Sequence, residues 1–103
     1  MAERTDTAVV IVAAGRGIRA GGAEPKQWHV IAGRSVLART VDAFAGFPRR
    51  VVVLHPDDMP RGLAEFRGRV TLVAGGKTRC ESVRNALESL EFSRMNRVLV
   101  HDG

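Results

Sequence analysis

Cysteine is nearly absent from this 103-residue sequence, in which Cys80 is the single thiol. One thiol cannot form an internal disulfide, and it cannot supply a cysteine-based zinc cage. We therefore expect a protein of the reducing cytoplasm, in which Cys80 is an inert thiol and not a nucleophile.

Long apolar runs are missing as well. No stretch approaches the roughly 20 residues that a membrane-spanning helix requires. The N-terminal residues are polar and acidic, unlike a secretion signal. We therefore expect no membrane partner.

Aromatic residues are few, and the four phenylalanines and one tryptophan form no cluster on which bases could stack. The arginines are scattered along the chain. Despite the net charge of +5, we therefore expect no nucleic-acid polymer as a partner. The basic balance instead favours a small, highly charged anion.

Lysine is the rarer basic residue, since only Lys26 and Lys77 among the sixteen basic residues are lysines. Both lie in or beside glycine-rich segments, where a compact ammonium group suits anion binding. A chance placement of the two lysines is the alternative.

The pattern of apolar residues predicts alternating strands and helices. The predicted strands cover residues 8–13, 50–55, 69–73 and 97–101, and the predicted helices cover 35–45, 60–66 and 79–90. This order predicts an α/β fold with an open, largely parallel sheet and helices on both faces. The strand at 8–13, which no polar residue interrupts, is expected to be buried on both faces, and the strand at 97–101 is expected to be a further buried strand.

The same pattern predicts how some elements begin, end and face the core. Ser35 is expected to cap the first helix, and Gly46 is expected to end it. Asp57 and Asp58 are expected to form a solvated turn. The buried face of the last helix is expected to contain its regularly spaced apolar residues, Val83, Leu87 and Leu90.

Right-handed crossovers place the carboxyl ends of parallel strands at one edge of a sheet. The loops at 14–26, 74–79 and 101–103 should therefore line one crevice, although they are far apart in sequence. A strand at the end of the chain leaves a sheet edge open. We therefore expect this chain to be part of a longer one.

The first of these loops contains the segment Gly15 to Ala20, which matches the G-x-G-x-x-G/A pattern of dinucleotide-binding proteins. The match is weak, because that fingerprint needs a helix within the glycines and an acidic residue after the second strand. Here the first predicted helix begins near Ser35, and the second strand ends at His55. A nicotinamide or flavin site is therefore not favoured.

Arg19 and Lys26 in this loop are candidate catalytic residues. During nucleotidyl transfer, negative charge builds up on the phosphate oxygens and on the leaving pyrophosphate, where fixed cations stabilise the transition state. Pro25 restricts the backbone directly before Lys26. The alternative is a pair of solvated basic residues on a loop.

The second glycine-rich segment runs from Gly75 to Arg79 and lacks the spacing of a P-loop. We expect it to let a base or ribose approach bare backbone, with Ser82 offering a hydroxyl group. An ordinary strand-to-helix turn with a helix cap is an equal alternative. Asp102, directly after the last strand, is placed like a ligand for Mg²⁺ or for a ribose hydroxyl.

Three motifs occur in a characteristic order, namely Ala13 to Arg19 with Pro25-Lys26-Gln27, then Gly75 to Val83, then Val98 to Asp102. With them the sequence resembles the N-terminal half of the 2-C-methyl-D-erythritol 4-phosphate cytidylyltransferases of non-mevalonate isoprenoid biosynthesis. The Pro-Lys-Gln and Arg-x-x-Ser-Val elements are more specific than the glycines, and the resemblance spans nearly the whole chain.

The resemblance implies a Rossmann-like nucleotide-diphospho-sugar transferase fold. It implies transfer of CMP from CTP to a sugar-alcohol phosphate, with Mg²⁺ or another divalent cation and with release of pyrophosphate. Arg19 and Lys26 would stabilise the pentacoordinate phosphorus, and Asp102 would lie near the ribose and the metal. The implied CTP-binding residues come from all three motifs: Ala13, Ala14, Gly15, Arg16, Gly17, Gly75, Gly76, Lys77, Arg79, Ser82 and Asp102.

Members of this family are longer than this chain, and their other half carries acceptor-binding residues and a dimerisation arm. The resemblance therefore implies that residues 1–103 are the N-terminal nucleotide-binding part of one cytidylyltransferase domain. It also implies that the complete protein is a homodimer and that this length alone is poorly active. Whether a second enzymatic domain follows in the complete protein is left open. The alternatives are a ribitol 5-phosphate cytidylyltransferase and a non-catalytic nucleotide-binding fragment.

Overall fold

The computed structural model describes residues 7–15, 26–66, 68–90 and 97–102. The helices and strands within these ranges follow the chain as β1 Thr7–Ala13, β2 Val30–Ile31, β3 Arg34–Ser35, α1 Val36–Ala43, β4 Arg49–Leu54, α2 Met59–Phe66, β5 Thr71–Ala74, α3 Arg79–Ser89 and β6 Arg97–Asp102. Short 3₁₀ helices cover Lys26–Trp28 and Pro56–Asp58.

The main sheet has the strand order β5-β4-β1-β6, and its three pairings are parallel. The strand β1 is interior, because Val10 lies opposite Val51 of β4 on one side and Val100 of β6 on the other. The predicted α/β fold with an open parallel sheet is therefore confirmed.

Helices cover both faces of this sheet, as the sequence predicts. Neighbouring side chains of a strand point to opposite faces. Val9 and Ile11 of β1 therefore pack in a cluster with residues of α1 and α2, whereas Val10 packs in a second cluster with Ala86 of α3. None of the helices in the described ranges is both long and apolar enough to cross a bilayer.

Ser35 caps α1, as predicted. Its Oγ accepts a hydrogen bond from the Ala38 N–H at 3.0 Å, and its hydroxyl donates to Glu65 Oε1 at 3.0 Å. The helix ends earlier than the predicted stop at Gly46. The reason is a tighter turn after Ala43, in which N–H groups bond to carbonyls three residues back.

The antiparallel hairpin β2–β3 is not predicted from the sequence. Each of its strands has two residues, too few for an alternating pattern to be visible. Ala32 and Gly33 connect the strands with φ angles of 53° and 84°. This left-handed backbone suits a tight hairpin turn, and glycine adopts it more easily than alanine does.

The strand β6 is exposed, so the prediction of a buried strand is wrong for the described structure. Val98, Leu99 and Val100 are 38%, 45% and 42% exposed. The helix α3 packs over β1, β4 and β5, and β6 lies beyond that layer at the edge of the sheet. The apolar pattern of a strand therefore does not by itself show whether other helices or strands cover it.

The buried face of α3 also differs from the predicted one. Ser82 and Ala86 are the buried residues, and Leu87 is 44% exposed. Small side chains on this face let the helix lie close to the sheet. The spacing of the larger apolar residues predicts a different buried face. Leu90 still packs at the margin of the Val10 cluster.

The prediction of a solvated turn at Asp57 and Asp58 is wrong for Asp58, because this residue is only 7% exposed. Its Oδ2 accepts a hydrogen bond at 3.2 Å from Nε1 of the fully buried Trp28. The Arg61 guanidinium lies 4.3 Å from the Trp28 ring centroid. A buried indole N–H needs a hydrogen-bond acceptor. Because the acceptor is 30 positions away in the sequence, no local pattern could predict that this aspartate is buried.

We expect Asp58→Ala to lower the free energy of unfolding by about 1–3 kcal/mol, because it leaves the buried Trp28 N–H without this acceptor. Asp57→Ala is the matched control, since its side chain is 77% exposed and the change should stay within about 0.5 kcal/mol of wild type. Urea denaturation followed by the fluorescence of Trp28 measures both. Equal stabilities for the two variants would contradict the importance of this hydrogen bond.

Candidate active site

A cavity of about 290 Å³ opens at the carboxyl edge of the sheet, where β1 ends. The three segments predicted to meet at this edge line it, together with one residue of the first 3₁₀ helix. The lining residues are Val12, Ala13, Ala14, Gly15, Gln27, Gly76, Lys77, Thr78, Arg79, Ser82 and Asp102. The predicted crevice is therefore confirmed for the part of these segments that the structure describes, in which Ala14 and Gly15 represent the first loop.

Most of the predicted CTP-binding residues lie in this lining, and their binding roles stay predictions. Gly75 lies beside the cavity, in the lining of an adjoining cavity of about 480 Å³. Arg16, Gly17 and Arg19 fall outside the described residues. Lys26 is the first residue of the 3₁₀ helix Lys26–Trp28.

Gly75 is required by the packing of the turn between β5 and α3. Its N–H donates to the Leu54 carbonyl at 2.7 Å, which ties the turn to β4. A Cβ at this position would lie 2.6 Å from the Ala14 Cβ and 2.8 Å from the Ser82 Oγ. The glycine therefore lets the end of β1, the turn and α3 approach one another.

Gly76 is held in a similar way by α3. Its N–H donates to the Ser82 Oγ at 3.2 Å, and an added Cβ would collide with the Glu81 side chain. Ser82 is 2% exposed, so its buried hydroxyl holds the backbone of the cavity lining in place. The strand-to-helix turn and the helix cap are therefore both present, and the approach of a base to this backbone stays a prediction.

The helix α3 begins with a capping box at Thr78. The Thr78 Oγ1 accepts from the Glu81 N–H at 3.1 Å, and the Glu81 Oε1 accepts from the Thr78 N–H at 3.2 Å. These bonds fix the first turn of the helix at the cavity. The partial positive charge of a helix N-terminus is thus added to the charge of Lys77, which lines the same cavity.

Arg79 and Asp102 form an ion pair in the cavity lining, with 3.0 Å between Nε and Oδ1. The two side chains are 58% and 70% exposed, and a solvated pair of this kind contributes at most about 1 kcal/mol. A charged ligand can therefore replace this contact with one of its own at little cost.

Asp102 supplies the carboxylate among the lining residues. In the part of the chain that the structure describes, no group of three or more histidine, cysteine, aspartate and glutamate side chains could hold a metal ion. Mg²⁺ commonly binds through one or two carboxylates together with substrate phosphates. The donors of this cavity therefore fit a magnesium ion that binds together with a phosphorylated ligand.

Gln27 lines the cavity, although no role is predicted for it from the sequence. Its carboxamide nitrogen donates to the Ala13 carbonyl at 3.0 Å and to the Gly15 carbonyl at 3.1 Å. The residue is 7% exposed. Its place in the Pro-Lys-Gln element, directly after Lys26, is the sequence signal that could have identified it.

Sequence comparison identifies one family. The model described as 2-C-methyl-D-erythritol 4-phosphate cytidylyltransferase matches residues 7–103. A bifunctional enzyme IspD/IspF from Paracoccus denitrificans is 64% identical over 96 residues, which cover 93% of this chain and 25% of that protein. A 2-C-methyl-D-erythritol 4-phosphate cytidylyltransferase from Cereibacter sphaeroides is 56% identical over 105 residues, which cover 94% of this chain and 46% of that protein.

Structure comparison gives a similar protein. The crystal structure of a 4-diphosphocytidyl-2C-methyl-D-erythritol synthase from Anaerococcus prevotii matches with a TM-score of 0.68 and 28% sequence identity. The match covers 96% of this chain and 43% of that chain. This chain therefore spans less than half the length of these relatives.

We expect Gly75→Ala to lower the free energy of unfolding by about 1–3 kcal/mol, because its methyl group would overlap Ala14 and Ser82. Gly15→Ala is the matched control. Its Cβ would meet no described atom within 4 Å, so its effect should stay within about 0.5 kcal/mol. Chemical denaturation compares the two, and a loss of stability confined to Gly15→Ala would contradict the packing role of Gly75.

Proposed function

This chain belongs to the 2-C-methyl-D-erythritol 4-phosphate cytidylyltransferase family, and we propose that it forms the nucleotide-binding part of such an enzyme. The proposed reaction transfers CMP from CTP to 2-C-methyl-D-erythritol 4-phosphate and releases pyrophosphate. Because the chain spans only part of its relatives, we assign acceptor binding to the remainder of the enzyme.

The convergence of three motifs on one cavity is the observation that carries this proposal. The same cavity is lined by Ala13 to Gly15, by Gly76 to Arg79 with Ser82, and by Asp102, although the motifs are separated by long stretches of sequence. The adjoining cavity of about 480 Å³ shares Ala14, Gly15, Gly76 and Lys77 with it. Together the two cavities offer room beside the backbone of these shared residues for a nucleotide and its phosphates.

The charges of the cavity suit a polyphosphate. Lys77, Arg79 and the N-terminus of α3 contribute positive charge or partial charge, and Asp102 already pairs with Arg79. Backbone N–H groups and cations at a helix N-terminus are a common arrangement for phosphate binding. We therefore assign the triphosphate of CTP to this edge of the sheet.

The chemical step forms a bond between a phosphate oxygen of the acceptor and the α-phosphorus of CTP, and it breaks the bond to pyrophosphate. Negative charge builds up on the α-phosphate and on the departing pyrophosphate. Cations fixed at those oxygens stabilise the transition state more than the ground state. We assign this role to Arg19 and Lys26, in line with the family resemblance.

Asp102 and the phosphates of CTP are the groups that would hold Mg²⁺. A bound magnesium ion would neutralise part of the triphosphate charge. One oxygen of the Asp102 carboxylate accepts from the Arg79 guanidinium, in the exposed ion pair that a ligand can replace at little cost.

We further propose a cytoplasmic homodimer that acts on small molecules and not on a nucleic-acid polymer. The free thiol of Cys80 is exposed, which suits a reducing compartment. The dimer is proposed from the family resemblance.

Pyrophosphate release tests the proposed reaction. The protein is expressed from the complete reading frame that contains this chain and is given CTP, Mg²⁺ and either methylerythritol phosphate or ribitol 5-phosphate. We expect release with methylerythritol phosphate, because a relative 56% identical carries that acceptor in its name. Release only with ribitol 5-phosphate would identify the rival enzyme. A folded protein that binds CTP and releases none with either acceptor would be a non-catalytic nucleotide-binding module.

We expect Lys26→Ala and Arg19→Ala each to lower turnover on the order of 10²–10³-fold, the usual effect of removing one fixed contact to developing charge. Arg84→Ala is the control, since Arg84 is an exposed residue of α3 outside the cavity lining, and it should retain wild-type turnover. Steady-state kinetics with CTP measures all three. Unchanged turnover in folded Lys26→Ala would exclude the assigned role.

A further inference from the structure

Two hydrogen bonds connect the first 3₁₀ helix to the end of β1. Both N–H groups of one carboxamide are accounted for, because Gln27 Nε2 lies 3.0 Å from the Ala13 carbonyl oxygen and 3.1 Å from that of Gly15. These carbonyls flank Ala14, at the point where β1 leaves the sheet and enters the cavity lining. The bonds span 14 and 12 positions of the sequence, so they join two segments that are far apart in the chain.

We propose that Gln27 is a positioning residue that holds the backbone of Lys26 against the end of β1 for the reaction proposed above. The inference rests on that proposed function. Consecutive Cα atoms are about 3.8 Å apart, so fixing the Gln27 side chain at two carbonyls also limits where the Lys26 backbone lies. Gln27 acts through Lys26 and is not assigned a contact with the substrate.

The chemistry of the site favours a primary amide at this position. Two carbonyl oxygens are acceptors, and a carboxamide nitrogen supplies two donors without a charge. A carboxylate at the same place would face two carbonyl oxygens with no donor. At 7% exposure, water would not easily replace the lost bonds.

The next residue, Trp28, anchors the same 3₁₀ helix at a second place. The Trp28 Nε1 donates to Asp58 Oδ2 at 3.2 Å, and Trp28 is fully buried. Asp58 belongs to the 3₁₀ helix that follows β4. Consecutive residues thus attach this short helix to the edge of the sheet at two places, with Lys26 at its start.

This attachment matters for catalysis because a fixed charge stabilises a transition state only at the correct distance. A displacement of about 1 Å can lower a rate on the order of 10²-fold. Loss of the two Gln27 bonds should therefore act on the chemical step and not on the affinity for CTP.

A double-mutant cycle tests the proposal on the protein from the complete reading frame. Gln27→Met keeps the approximate length of the side chain and removes both donors. We expect it to lower kcat on the order of 10–10²-fold and to leave the KM for CTP nearly unchanged. In a Lys26→Ala background the same substitution should lower kcat by less than about twofold, because the residue through which it acts is gone.

Ser35→Ala is the control for a purely structural effect. Ser35 is also buried, at 5% exposure, and makes two hydrogen bonds, but it lies outside the lining of the cavity. It should lower the melting temperature by an amount comparable to Gln27→Met and leave kcat per folded protein unchanged. Assays well below both melting temperatures keep all variants folded.

The proposal is overturned if Gln27→Met turns over like the wild type. It is also overturned if its loss of kcat is the same in both backgrounds, or if Ser35→Ala loses as much kcat. Failure of the proposed function has a different signature, because the wild-type protein itself would then release no pyrophosphate.

Discussion

Burial of β1 on both faces, between two parallel neighbours, is the constraint on which the rest of the structure depends. Val9, Val10 and Ile11 are each fully buried, and burial of such a side chain contributes about 1.5–3 kcal/mol. Parallel neighbours require crossovers, and these bring the segments after β1, before α3 and at the end of β6 to one edge. The cavity therefore lies where the apolar strand ends.

Close packing then gives this edge its shape. Gly75 admits the Ala14 and Ser82 side chains to distances that a Cβ would prevent, and Ser82 binds the Gly76 N–H from within the core. Gln27 binds the main-chain carbonyls of Ala13 and Gly15, which line the same cavity. Buried polar side chains thus hold the backbone of the site, and the exposed charges of Lys77, Arg79 and Asp102 are left for a ligand.

The sequence predicts the parts of the fold that depend on local patterns. The unbroken apolar run of β1, the cap at Ser35 and the meeting of three loops at one edge follow from periodicity, capping chemistry and crossover handedness. Most of the predicted CTP-binding residues that the structure describes meet there because the topology places them together. The burial of Asp58 and the two bonds of Gln27 could not be predicted, since both depend on contacts across many positions of the chain. The exposure of β6 could not be predicted either, because it depends on which helices and strands cover β6, and the composition of the strand does not show which ones do.

We propose above that CTP binds at the carboxyl edge of β1, and amide hydrogen exchange with and without CTP and Mg²⁺ tests this binding site most directly. The measurement uses the protein from the complete reading frame. We expect CTP to protect peptides that contain residues 13–15, 75–82 and 102, and to change the exchange of the hairpin β2–β3 little. Protection that spares all three segments, in a protein that binds CTP, would contradict it.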